Sequence, residues 1–127
     1  MSVLVCLALN IYFEARSENF RAQLAIAHVV ENRVMSSQFP NSYCDVVFDG
    51  GERRHMCQFS WYCDGKSDTP RDLKAWKTAL RVAGSYWKYP DPTAGALWYH
   101  ADYVQPRWAG RNYISIGSHK FYHALYD

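Results

Sequence analysis

A helix-dominated α+β fold is predicted for this chain by three observations. Apolar residues recur at helical spacing through the first third. A strong helix start follows at Thr69-Pro70-Arg71-Asp72, with a hydroxyl cap, a proline in the first turn and an acid three residues on. The last third then changes character, with aromatic and β-branched runs that suit strands joined by a two-residue turn.

Each element has its own warrant. Val3 to Phe13 is an apolar stretch that reads as a buried helix. A second, amphipathic helix begins near Glu18, where Phe20, Leu24, Ala27 and Val34, with Val30 nearby, fall at spacings of three and four. Ser17 stands where an N-cap would, and Phe39-Pro40-Asn41-Ser42 ends the helix. The two helices therefore meet at a very short corner. Residues 40–68 carry Pro, Gly-Gly, Asn and Asp between short apolar runs, which predicts irregular structure with room for one small hairpin. Leu73, Trp76, Leu80, Ala83 and Trp87 then continue a helix until Tyr89-Pro90-Asp91-Pro92 stops it. Ala96 to His100 and Tyr113 to Ile116 read as strands, and Gly117-Ser118 offers a hairpin turn before His119.

The chain has 127 residues, which predicts one domain over 1–127 with a single core. Nearly half the residues are hydrophobic and 17% are aromatic, so the chain is not of the disordered class. The aromatic excess suits a carbohydrate groove, and it equally suits the core of a small domain. A net charge of +2 from scattered basic residues gives no nucleic-acid stripe, so no nucleic-acid partner is expected. The N-terminal apolar run has no basic residues before it and no small-residue cleavage site after it, so no signal peptide is expected in this chain. The run is also too short to span a bilayer.

Glu14 is the first candidate for chemistry. It ends the apolar helix at the corner with the second helix, where a charged side chain is costly to desolvate unless it is paired or used. Burial would raise its pKa towards neutrality, as a general acid requires. The structural alternative is an ion pair with Arg16 or Arg33.

The second candidate segment is Cys57-Gln58-Phe59-Ser60-Trp61-Tyr62-Cys63-Asp64-Gly65. If extended, it projects Gln58, Ser60 and Tyr62 to one side and Phe59, Trp61 and Cys63 to the other. One side would meet a ligand while the other anchors in the core. Four cysteines permit two disulfides in three pairings. Cys57 and Cys63 flank the aromatic segment and form the candidate pair, whereas Cys6, in the apolar helix, is expected to be a buried thiol. A disulfide would imply an oxidising compartment.

The succession Glu14-Ala15-Arg16-Ser17-Glu18, Gln23-Leu24-Ala25-Ile26-Ala27 and Asn32-Arg33-Val34 resembles the spore cortex-lytic (SleB-type) cell-wall hydrolase family. So do Cys57-Gln58-Phe59-Ser60-Trp61 with Cys63-Asp64-Gly65, Thr93-Ala94-Gly95-Ala96-Leu97, and Tyr99-His100-Ala101. Pro106 with Trp108, and Ile116-Gly117 with His119 and Phe121-Tyr122, continue the same order. The likeness runs from about Asn10 to Tyr122, and its specificity comes from the order of the motifs. It implies a lysozyme-like, lytic-transglycosylase-like catalytic domain acting on the glycan strands of peptidoglycan in the bacterial cell wall. It assigns the acid/base role to Glu14. Ser17, where the family more often has Gly, and His28, in a helix where small apolar residues are usual, depart from the pattern without touching the acid.

The expected reaction is cleavage of the β-1,4 bond between N-acetylmuramic acid and N-acetylglucosamine with formation of a 1,6-anhydro ring, which needs one carboxylic acid. A hydrolase would need a second carboxylate. Asp64, beside Gly65 in a turn, and Glu18, read as a first-turn acid facing the helix dipole, are the candidates for it. Gln58, Ser60, Asp64, Tyr99 and His100 are the expected groove lining, with Trp61 and Trp108 as candidate sugar platforms. Arg33 is expected to partner a carboxylate. His119 and His123 are four apart and Cys57 and Cys63 six apart, without a His-Glu-x-x-His, so neither a metal nor another cofactor is expected. No cysteine has a thiol-protease signature around it. A non-catalytic glycan-binding module remains the alternative of a different class, and a monomer is expected.

Overall fold

A computed structural model of the chain describes residues 1–52 and 56–127. The described residues form four α-helices and a three-stranded sheet: α1 (Val3–Ala15), α2 (Phe20–Val34), α3 (Tyr43–Val47), α4 (Leu73–Ala83), β1 (Trp98–Ala101), β2 (Ile114–Ile116) and β3 (His119–Tyr122). Short 3-10 stretches at Ser60–Cys63 and Tyr86–Lys88 complete the order.

Helix α1 is buried on nearly all sides from Cys6 to Tyr12, as a helix apolar all round must be. Helices α2, α3 and α4 pack around it, and the core joins Leu7, Ile11, Tyr12, Ile26, Val29, Val47 and Val82. Its N-terminus is capped by Ser2, whose hydroxyl accepts from Val5 N.

Two N-caps fall elsewhere than the sequence predicts. Asn19, not Ser17, caps α2, accepting from Ala22 N at 2.9 Å. The amide of Glu18 closes a turn onto Ala15 O, so Ser17 and Glu18 belong to the corner between the helices. Asp72, not Thr69, caps α4, accepting from Ala75 N, while its own amide donates to the Tyr12 hydroxyl at 3.0 Å. Tyr12 thus sets where α4 begins.

Helix ends also differ. Helix α2 stops at Val34, ahead of Pro40, because Ser36 turns the chain: its hydroxyl accepts from Gln38 N and its carbonyl from Phe39 N. Helix α4 stops at Ala83 with Gly84 as its C-cap, before Trp87. Phe20, Leu73 and Trp87 are exposed and lie outside the core. Between residues 40 and 68 the described residues hold α3 and a 3-10 turn rather than a hairpin. Because Ser60–Cys63 is 3-10, the expected alternation breaks after Phe59, and Tyr62 packs on Phe48 instead of standing beside Ser60.

Cys6 is not a thiol: it pairs with Cys44 and ties α1 to α3. Cys57 is bonded to Cys63 around the 3-10 turn.

The sheet is antiparallel in the order β1-β3-β2. Ile116 pairs with His119 across the Gly117-Ser118 turn, and Trp98 pairs with Tyr122. Gly117 has φ +58°, and a Cβ there would collide with the Glu18 carboxylate and lie 2.9 Å from Ala22 Cβ. Only glycine lets the turn sit this close to the α1–α2 corner. Asn32 and Arg33 at the end of α2 hold the approach to β1. Asn32 Nδ2 donates to Asp91 Oδ2 and Ala96 O, and Arg33 Nε donates to Leu97 O at 2.7 Å.

Candidate active site

Glu14 sits in the last turn of α1, at the junction of two arms of one cleft. The larger arm, about 710 Å³, is bounded by Arg16, Glu18, Asp64, Lys66, Ser118 and His119. The smaller, about 240 Å³, is bounded by Arg33, Gln58, Phe59, Tyr99, His100 and Val104. Four residues belong to both: Glu14, Ser60, Ala101 and Tyr103.

The setting of Glu14 raises its pKa from an ordinary 4.5 to about 7, and the largest cause is desolvation by burial. Tyr99 and the charge of Arg33 act in the opposite direction but do not overcome it. The Tyr99 hydroxyl faces the carboxyl, and among the described residues no cation lies within 4.0 Å of it. The ion-pair alternative therefore fails in its simple form. Arg16 donates instead to the Tyr12 hydroxyl at 2.8 Å. Arg33 is 3% exposed, held between the rings of Phe39 and Phe59 at 4.6 and 4.8 Å, and donates from Nη1 to Gln58 Oε1 at 3.4 Å. It biases Glu14 through space.

A polar chain from the core supports the acid. Trp61 Nε1 donates to Asn10 Oδ1 at 2.8 Å, and Asn10 Nδ2 makes a long 3.5 Å contact with the Tyr99 hydroxyl. Asn10 is fully buried and lies one turn before Glu14 on the same face of α1. Sequence reasoning passed over it, although an amide inside an otherwise apolar helix is a signal. The chain joins the 3-10 turn, α1 and β1, so three elements fix the place of one carboxyl.

The other predicted residues divide. Gln58, Ser60 and Asp64 line the cleft. Asp64 Oδ1 accepts from Lys66 N, as a turn former does. Tyr99 and His100 line the smaller arm, but both have structural bonds. The Nδ1 of His100 faces Ala101 O at 2.7 Å, which makes it the donor, so Nε2 accepts from the Tyr122 hydroxyl, also at 2.7 Å. Neither tryptophan presents an open ring face to the two arms. Trp61 is 7% exposed and stacked on Phe13, leaving only an edge for the cleft. Trp108 packs edge-on against His100 and Tyr122 and borders neither arm.

Glu18 is not a dipole-facing acid, because it precedes the cap of α2. Its carboxylate accepts from Ser118 N at 2.7 Å, and the hydrogen bonds to Ser118 hold its pKa below the ordinary value. His119, also on the larger arm, is 6% exposed, and its unpartnered Nδ1 lies 3.9 Å from Glu18 Oε1. Burial lowers its pKa. His123 points elsewhere, with Nε2 2.8 Å from Ala94 O. Among the described residues no three His, Cys, Asp or Glu side chains gather as metal ligands. No helix among them is long and apolar enough to cross a membrane.

Residues 17–122 match the family described as Cell Wall Hydrolase. The spore cortex-lytic enzyme of Bacillus subtilis is 34% identical over 118 residues, covering 91% of this chain and 35% of the relative. That of Bacillus cereus is 34% identical over 100 residues, covering 77% and 34%. The chain thus spans about a third of the length of these relatives. Two solved structures are similar at 31% identity, each covering 94% of this chain. They are the catalytic domain of the Bacillus cereus SleB protein (TM-score 0.66, 88% of that chain) and the catalytic domain of the germination-specific lytic transglycosylase SleB from Bacillus anthracis (TM-score 0.68, 92%). The helices and small sheet are therefore arranged in the lysozyme-like fold of those domains. The family match begins just past Glu14 and does not itself cover that residue. The chain belongs to the SleB-type cell wall hydrolase family.

Proposed function

We propose that this chain is a peptidoglycan-cleaving enzyme that cuts the β-1,4 bond between N-acetylmuramic acid and N-acetylglucosamine, with Glu14 as the sole acid/base. The observation that carries the proposal is a carboxyl with a pKa of about 7 at the junction of two cleft arms. Near neutrality such a group populates both protonation states, as a residue that gives and then takes a proton must. Protonated Glu14 donates to the glycosidic oxygen as the bond from the muramic C1 breaks. The carboxylate then takes the proton of the muramic C6 hydroxyl as O6 bonds to C1. The products are a 1,6-anhydromuramic end and a free N-acetylglucosamine hydroxyl, with no water consumed. Arg33 favours the ionised acid between the two transfers. The lytic transglycosylase named among the similar structures supports this outcome over hydrolysis. The whole 127-residue unit would act as a monomer on the bacterial wall.

One observation favours a second reading, hydrolysis. Asp64 and Glu18 share the larger arm with Glu14, where a second carboxylate could activate water. Glu18 is already engaged by Ser118, which leaves Asp64 as the freer of the two. Mass analysis of fragments released from purified peptidoglycan by the parent and by Glu14→Gln tests both. Anhydro ends that vanish in the variant support transglycosylation, and reducing ends lost on Asp64→Asn support hydrolysis.

A further inference from the structure

Among the described residues, the cleft presents one open aromatic face, at Tyr103. The residue is 85% exposed and borders both arms where they meet at Glu14. The other aromatics on the walls are committed: Phe13 to Trp61, Phe59 to Tyr99, and Tyr99 to His119 and Phe121. Among the described residues the ring of Tyr103 stacks on no other. An isolated exposed aromatic is ordinary on a protein surface. What sets Tyr103 apart is a fixed backbone at that junction. The amide of Asp102 donates to Ser118 O at 2.8 Å, and that of Val104 donates to Ala101 O at 3.1 Å. The residue is thus held from both sides in a tight turn just past β1, with its ring free.

We propose that Tyr103 is a substrate-binding residue whose ring stacks on the apolar face of the pyranose at the scissile bond as the glycan strand passes from the larger arm into the smaller. Any strand whose glycosidic oxygen comes within proton reach of Glu14 must cross the junction that Tyr103 borders. A flat ring there holds a sugar by its C–H face, while the phenol edge stays in water. Tyr103 acts on the strand proposed above as the substrate, so its test is made on binding as well as on turnover.

The binding arm uses Glu14→Gln as the parent, with purified peptidoglycan sacculi and a sedimentation assay. Adding Tyr103→Phe should leave binding unchanged. Adding Tyr103→Ala or Tyr103→Gln should weaken it about tenfold. Two polar or truncated variants guard against a folding artefact, and thermal melting of each is run alongside. Equal binding by all four proteins, or no binding by the parent, overturns the proposal. The turnover arm is separate. If Glu14→Gln still releases fragments, the catalytic role of Glu14 falls, while the ratio of Tyr103→Ala to Tyr103→Phe in binding still decides the platform.

Discussion

Glu14 should make the protein less stable at neutral pH than it would be without the charge. A carboxyl whose pKa rises from 4.5 unfolded to about 7 folded binds its proton more tightly in the folded state. Stability from this group is therefore full below about pH 4.5 and is lost as pH climbs through 7. At 1.36 kcal/mol per pKa unit the full loss is roughly 3 kcal/mol, and about 1–3 kcal/mol is a fair range for a side chain partly open to a cleft. Glu14→Gln keeps the shape, removes the titration, and should recover that amount at pH 8. For a chain of this size the melting temperature should rise by about 5–10 °C. At pH 4 the two proteins should melt together. Paired melting or urea curves across pH 4–8 measure the difference, which should open along a titration centred between the two pKa values. A constant offset at every pH, or a variant less stable than the parent at pH 8, would refute the claim that burial dominates the setting of Glu14.

The remaining expectations concern the acid's partners and the scaffold. The proposed catalysis needs protonated Glu14, so kcat/KM should fall as pH rises past about 7. Tyr99 lowers the Glu14 pKa, so Tyr99→Phe should move that alkaline limb upward while costing only about 1 kcal/mol of stability; an unmoved limb would free Tyr99 from any influence on the acid. Gly117→Ala meets both a left-handed φ and the Glu18 carboxylate, so it should cost about 1–3 kcal/mol in denaturant titrations. The Cys6–Cys44 bridge closes a separation of 38 residues, and a Cys6→Ala/Cys44→Ala double variant should lose about 3–4 kcal/mol. Mass mapping under non-reducing conditions checks both pairings, and free thiols at Cys6 and Cys44 would remove the tie between α1 and α3.

Much of the fold was legible because its signals are local. The helices α1, α2 and α4, the Gly117-Ser118 turn and the strands beside it all follow from periodicity and turn chemistry. What was misplaced depended on partners distant in sequence. Asp72 caps α4 because Tyr12, far back on α1, holds its amide. Glu18 falls in the corner before the Asn19 cap, where it meets the amide of Ser118 from the other end of the chain. Trp108 looks like an exposed groove residue in sequence, yet it interlocks with His100 and Tyr122. Glu14 stands out in the sequence because its carboxyl and its place at the end of an apolar helix are visible together. Tyr103 does not stand out in the sequence, because nothing in Asp102-Tyr103-Val104 says that the turn borders Glu14.

The measurement closest to the central claim is mass spectrometry of the soluble fragments released from purified peptidoglycan by the parent and by Glu14→Gln. The parent should release 1,6-anhydromuramic ends and the variant none, with both proteins folded. Equal release by the two would contradict it, because no single acid/base at the cleft junction could then be Glu14.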